Sequence, residues 1–193
     1  MNNKYELTDE TKEIGGITLH RIRALMDISR YGVRAGDIGG WIEAESNLSQ
    51  DDDAWVGGDA RVYGNAVVYG DAWVYGDAKV YGDARVYGDA WVYGNAVVCG
   101  KALVNGNAEV SGNAEVKSIR DYAVFKNGWS SGRWFTYTRS NRMWRVGCFH
   151  GTGEELIAKA YKDSELSGKC YEAIVRAQEA IDRAIDEKEG DTK

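Results

Sequence analysis

At 193 residues and a formal net charge of −6, the chain is long enough for a sizeable core and too acidic for nonspecific nucleic-acid binding. No apolar run is long enough to cross a membrane, and the polar start MNNKYELTDETK does not read as a signal peptide. Cys99, Cys148 and Cys170 stand at no metal-like spacing, so free thiols in a reducing cytoplasm are expected, with no metal and no cofactor.

In chain order, residues 4–8 (KYELT) and 17–25 (ITLHRIRAL) predict two strands joined by the acidic turn DETKEIGG. His20 has no neighbouring cysteine or second histidine and reads as a surface or packing residue. This strand pair forms a first unit, residues 1–36. The next unit, 37–118, is a repeat. It begins in GGWIEAESNLSQDDDAWV, where Ile42 and Leu48 take an inward role and Gly40 and Ser46 the small-residue role beside it. Two residues are inserted at the turn Gln50-Asp51-Asp52-Asp53. Oxygen ligands suit calcium, but this triplet lacks the glycine and terminal glutamate of an EF-hand loop, so a solvated corner is expected.

From Asp59 the period is strict: DARVYG, NAVVYG, DAWVYG, DAKVYG, DARVYG, DAWVYG, NAVVCG, KALVNG, NAEVSG, NAEVKS. Valine recurs every six residues from Val56 to Val116, with alanine two residues before each. Ala and Val share one face of a short strand, and the Gly-Asp/Asn pair supplies the turn. So short a strand cannot bury its valine alone, whereas stacked coils can. Three hexads per coil sort the outward positions into columns about 4.8 Å apart from rung to rung. One column carries Trp55, Trp73 and Trp91, then Glu109, beside Tyr75 and Tyr93. So large an aromatic face predicts a contact surface, with a subunit interface the leading expectation. Asp71 falls above Asp89 and Asp59 above Asp77, and solvent is expected to screen them.

The period stops after Lys117, and residues 119–193 form a third unit. Strands are predicted at 121–126, 132–138 and 142–148, followed by a helix capped by Thr152 and Glu155 and a second helix over 169–188. Tyr171, Ile174, Val175, Ala177, Ile181 and Ile185 make a helical stripe, and the tail EKEGDTK is expected to fray. Arg120, Arg133, Trp134, Tyr137, Arg142, Trp144 and Arg145 mix cations with aromatics, as a nucleotide or other anion requires. The same composition suits a small sheet that caps the repeat.

The hexads resemble those of left-handed parallel β-helices, which implies a mainly β fold: such a helix with a small N-terminal strand pair and a C-terminal sheet plus α-helices. Relatives of that fold are commonly trimers, so a homotrimer is expected. Many are acyltransferases that use a histidine base, and γ-class carbonic anhydrases bind zinc through three histidines. The hexads here contain no histidine, and His150, with Cys148 and Glu154 or Glu155 nearby, is the one local acid–base cluster. The order of strand pair, GDIGGWIEAESNLS, hexads and GCFHGT-helix resembles a family of phage and prophage proteins. That resemblance implies a non-enzymatic binding protein in the bacterial host cytoplasm, antagonising antiviral defence by sequestering a nucleotide signal or blocking a host protein. An acyl- or acetyltransferase using His150 and a phage assembly scaffold are the alternatives.

Overall fold

A computed structural model describes residues 3–190. Strands β1 (Tyr5–Ile14), β2 (Ile17–Ala24) and β3 (Ile38–Ile42) open the chain. Eleven two-residue rungs follow: β4 Trp55–Val56, β5 Arg61–Val62, β6 Val67–Val68, β7 Trp73–Val74, β8 Lys79–Val80, β9 Arg85–Val86, β10 Trp91–Val92, β11 Val97–Val98, β12 Leu103–Val104, β13 Glu109–Val110 and β14 Glu115–Val116. They stack in parallel as β4-β7-β10-β13, β5-β8-β11-β14 and β6-β9-β12, so residues eighteen apart are partners, as Trp55, Trp73 and Trp91 are. The molecule is a β-solenoid of about four turns. Its interior is the valine and alanine of every hexad, all at 0 % exposure. Each buried valine contributes about 1.5–3 kcal/mol, which explains why a two-residue strand persists. The turn glycine is obligatory: Gly70 has φ +71°, and a Cβ there would lie 3.0 Å from the Gly88 nitrogen on the next coil.

Both ends of a parallel stack present unpaired backbone groups, which invite end-to-end association. Here each end is closed by named groups. At the first coil the Lys4 ammonium donates to Ala54 O (2.7 Å), the Trp41 amide to Ala60 O (2.9 Å) and the Asn47 side-chain amide to Ala66 O (2.8 Å). At the last coil the Glu109 amide donates to Thr136 Oγ1 (2.8 Å) and the Glu115 amide to Ser140 Oγ (2.7 Å). Tyr122 adds its hydroxyl to Leu103 O at 2.8 Å.

Several expectations are corrected. The acidic run 9–14 is not a turn: β1 extends through it to Ile14, a register irregularity between Leu7 and Thr11 absorbs the extra length, and Gly15-Gly16 alone makes the reversal. Ser46 does not take the small-residue role; it is exposed in a 3-10 turn, and Asn47 is buried in its place. Within the triplet 51–53, Asp51 and Asp53 are exposed as expected, but Asp52 is not left to solvent. Asp52 faces the Lys4 ammonium, which also donates to Asp52 O at 2.8 Å, and its carboxylate accepts the Gly70 amide. Nor does solvent alone screen the stacked aspartates. The Arg30 guanidinium bridges Asp71 (3.3 Å) and Asp89, and Arg21 meets Asp59 at 3.1 Å.

The last unit is a four-stranded antiparallel sheet, β15 (Tyr122–Lys126), β16 (Trp134–Thr138), β17 (Met143–Val146) and β18 (Phe149–Gly151), one strand more than predicted. Helices α1 (Gly153–Asp163) and α2 (Glu165–Gly190) cover one face. Alternation along β16 explains the arrangement: Phe135 and Tyr137 pack in the helix-side cluster, while Thr136 reaches the last coil. The α1 capping box forms as read, with the Glu155 amide donating to Thr152 Oγ1 and the Thr152 amide to the Glu155 carboxylate. Helix α2 starts four residues earlier than predicted. Its stripe also divides: Val175, Gln178 and Asp182 are buried, whereas Ala177 and Ile181 are exposed. The tail expected to fray is helical as far as Gly190, and residues 191–193 lie outside the described residues.

Candidate functional site

The tryptophan column runs between two modules of the same chain. At one end Tyr5 meets the Trp55 ring edge-on at 6.5 Å, and Trp55 is only 2 % exposed. Tyr31 then stacks on Trp73 at 4.7 Å, held there by its hydroxyl on Asp71 O. Trp73 in turn stacks on Tyr75 at 4.3 Å, and Tyr75 on Tyr93 at 4.8 Å. Burial pushes the Tyr31 and Tyr75 phenols each up to about 12. Thus much of the face read as a subunit interface is covered by the chain's own N-terminal segment. A tryptophan column alone could not reveal this, because its cover lies in the non-repeating residues 5–31.

Farther along, Trp91 is half-buried where the column meets the C-terminal unit. There a notch of about 340 Å³ is lined by Arg30, Asp89, Trp91, Asn107, Glu109, Arg133, Trp134 and Gly147. Arg30 and Trp91 come from the N-terminal loop and the solenoid, Arg133 from the turn before β16 and Trp134 from the first position of that strand. The charges are mostly engaged. Arg30 holds Asp89, Asn107 donates to Asp89 at 3.3 Å, and Arg145 Nε lies 3.1 Å from Glu109 while its guanidinium covers Tyr93 at 5.6 Å. Arg133 is exposed beside Gly147 and makes no ion pair among the described residues. Trp134 is 39 % exposed, with the Lys126 ammonium 5.3 Å from its ring. The notch can therefore offer two indole surfaces and a guanidinium with its charge uncommitted.

The other basic and aromatic residues singled out in the sequence do not converge on it. Tyr137 and Trp144 are buried under the helices, and Tyr137 donates to the Asp182 carboxylate, whose negative charge adds to burial in raising the phenol's pKa. Arg142 is exposed near Asp186 at 3.6 Å and lines a smaller hollow of about 190 Å³ with Tyr137, Trp144 and Asp182. Arg120 sits in the 3-10 turn Ile119–Asp121 and lines neither hollow. Conversely, Arg30 and Gly147 belong to the notch but carried no sequence signal beyond a loop arginine and a turn glycine.

His150 is exposed on β18, paired across from Arg145 and packed against Gly112. The Glu155 carboxylate beside it in sequence is occupied by Thr152, and Glu154 meets Arg176. No group of three or more metal-ligating side chains occurs among the described residues. The cysteines are free, with Cys99 buried and Cys148 exposed. No helix among the described residues is long and apolar enough to cross a membrane.

Among protein families, a model described as the YdcK beta solenoid repeat matches residues 60–76 and 78–94. The matched segments lie within the hexads and support a β-solenoid repeat family. Comparison with curated proteins gives no match.

Proposed function

Starting from a solenoid whose tryptophan column is partly covered by the chain's own N-terminal segment and meets a notch near Trp91, we propose that the chain is a non-enzymatic binding protein. Its ligand carries a flat ring and an anionic group, as a nucleotide does. The observation that carries this reading is the pairing of Trp91 and Trp134 with the unpaired Arg133 guanidinium at a single opening. Base–indole stacking is worth about 1–3 kcal/mol per base, and a guanidinium adds a fork for phosphate. In the phage setting that the sequence resembles, such a protein would sequester a nucleotide signal from the host's defence. No comparable convergence favours His150 as an acyl-transfer base.

The test is titration of the purified chain with adenosine and guanosine monophosphates and their cyclic dinucleotides, followed by tryptophan fluorescence and calorimetry. Binding weakened about tenfold or more by Arg133→Ala and by Trp134→Ala, with unchanged melting, is the expected result. Absence of binding to every nucleotide, or equal affinity in both variants, would sink the reading. The proposed homotrimer would form on the two faces away from the tryptophan column, around Val67, Arg85 and Leu103 or around Lys79 and Val97. Native mass spectrometry reports subunit number and any retained ligand together.

A further inference from the structure

A second surface adjoins the notch, sharing Asn107 and Trp134 with it, but is built on a different element. Strand β15 is the outermost strand of the C-terminal sheet. Its register with β16 runs from Tyr122↔Thr138 to Lys126↔Trp134. Beyond those ends, the Arg139 amide donates to Asp121 O and the Asn127 amide to Arg133 O, both at 2.8 Å. In an antiparallel pair the bonded positions alternate, so 121, 123, 125 and 127 face β16. The amides and carbonyls of Tyr122, Val124 and Lys126 therefore point off the free edge. None of these outward backbone groups has a backbone partner among the described residues.

The other sheet edges are guarded. The solenoid ends are capped by Lys4, Asn47, Thr136 and Ser140. Strand β1 carries Asp9, Glu10, Lys12 and Glu13 and an irregular register, the usual devices against strand addition. Strand β18 is three residues long and leads directly into α1. By contrast β15 reads Tyr-Ala-Val-Phe-Lys, with a single charge, no irregularity and no proline.

Along this edge runs an open hollow of about 370 Å³ lined by Asn105, Ile119, Tyr122, Val124 and Trp134 among others. Ile119 is 63 % exposed there. Cations mark both ends of the strand: Arg120 and Lys126 are exposed. The nearest carboxylate, Asp121, is engaged by the amides of Lys117 and Ser118.

We propose that β15 is a docking edge for an extended acidic segment of a partner protein, which adds a fifth strand to the C-terminal sheet. Main-chain bonds to Tyr122, Val124 and Lys126 give the affinity. Alternate apolar side chains enter the hollow beside Ile119 and Trp134, and acidic residues meet Arg120 and Lys126. A second copy of the chain is a poorer occupant. Antiparallel pairing about Val124 would set Lys126 opposite Tyr122 of the partner subunit, bringing the cationic ends of the two strands together.

The experiment pans a displayed library of random peptides of roughly ten residues against the immobilised full-length chain. Enriched peptides are then synthesised and measured by fluorescence anisotropy. Alternating apolar and acidic residues are expected, with affinity falling as salt rises. Val124→Pro removes an outward amide and leaves the β16 ladder intact, so it should weaken binding at least about tenfold without lowering the melting temperature. Should that variant melt early, the same peptides N-methylated at alternate amides make the test on the wild-type chain, and methylation should abolish binding. Failure to enrich any peptide, or binding indifferent to both the proline and the methyl groups, overturns the proposal. So does a wild-type dimer that Val124→Pro converts to monomer, because the occupant would then be a second copy. Val124 lies outside the notch, so none of these outcomes depends on nucleotide binding.

Discussion

Replacing Lys4 with methionine tests how the solenoid begins. The Lys4 side chain is buried and its ammonium donates to Ala54 O at 2.7 Å and Asp52 O at 2.8 Å, with Asp52 Oδ1 at 3.5 Å. Burial pulls its pKa down, while the neighbouring Asp52 opposes that shift. Methionine keeps most of the volume and removes every donor. Two carbonyls then lose their partner at about 1–3 kcal/mol each, and the ion pair with the partly exposed Asp52 adds less than about 1 kcal/mol. A destabilisation of roughly 2–7 kcal/mol follows, a large share of the 5–15 kcal/mol typical of a folded domain. For a chain of this size each kcal/mol is about 2–4 °C in melting temperature, so a fall of at least about 4 °C is expected. Urea unfolding followed by circular dichroism should show the midpoint falling with an unchanged slope. The uncapped edge should also make the variant associate as concentration rises, visible by light scattering. A loss below about 1 kcal/mol with no association would refute the account, because solvent would then be satisfying those carbonyls unaided.

Thr136→Val removes the acceptor for the Glu109 amide at the other end and should cost about 1–3 kcal/mol in the same urea assay, whereas Thr136→Ser should restore most of it. Gly70→Ala, at φ +71° and facing the Gly88 backbone, should lower stability by at least about 1 kcal/mol; a neutral result would mean the coils can spread. Tyrosinate absorbance should show Tyr31 and Tyr75 ionising near pH 12 rather than at the ordinary value near 10. Because folding raises these pKa values, their stabilisation is complete below about pH 10 and lost as pH climbs towards 12, which alkaline unfolding would record. Trp73→Asp breaks the Tyr31 and Tyr75 stacks, so it should lower the melting temperature without changing the native mass; a clean change of mass with unaltered melting would restore the subunit-interface reading.

The hexads made the solenoid legible because one interaction recurs. A valine every six residues can be inward only if the coils stack, and the eighteen-residue columns follow from three hexads per coil. The Thr152–Glu155 cap was equally readable, since its partners are three residues apart. What stayed hidden involves partners distant in sequence and unrepeated. Lys4 lies 50 residues from Ala54, and Arg30 lies 41 and 59 from the aspartates it joins. Nothing in DDD distinguishes a carboxylate that meets solvent from one that meets an internal lysine. Composition likewise could not separate Trp134 from Trp144, because facing is set by register: one lies on the exposed rim and the other under α2. The exposed Ala177 and Ile181 show the same limit on a helix, where periodicity identified a stripe and the sheet chose Gln178 and Asp182 instead.

The notch has a property of a different kind. Its walls belong to the two caps, and its floor to the coils between them: Arg30 grips Asp71 and Asp89, while Arg133 and Trp134 arrive with the terminal sheet. Each cap recognises only the coil it touches. Inserting one eighteen-residue unit between β10 and β13 would keep Arg30 on Asp71 and Asp89 and the terminal sheet on the last coil while moving the walls apart by about 4.8 Å, and deleting one would draw them together. The number of coils is thus a ruler for the opening. Duplication or loss of a whole repeat would retune the size of the accepted ligand in fixed steps, with no residue of the contact surface replaced.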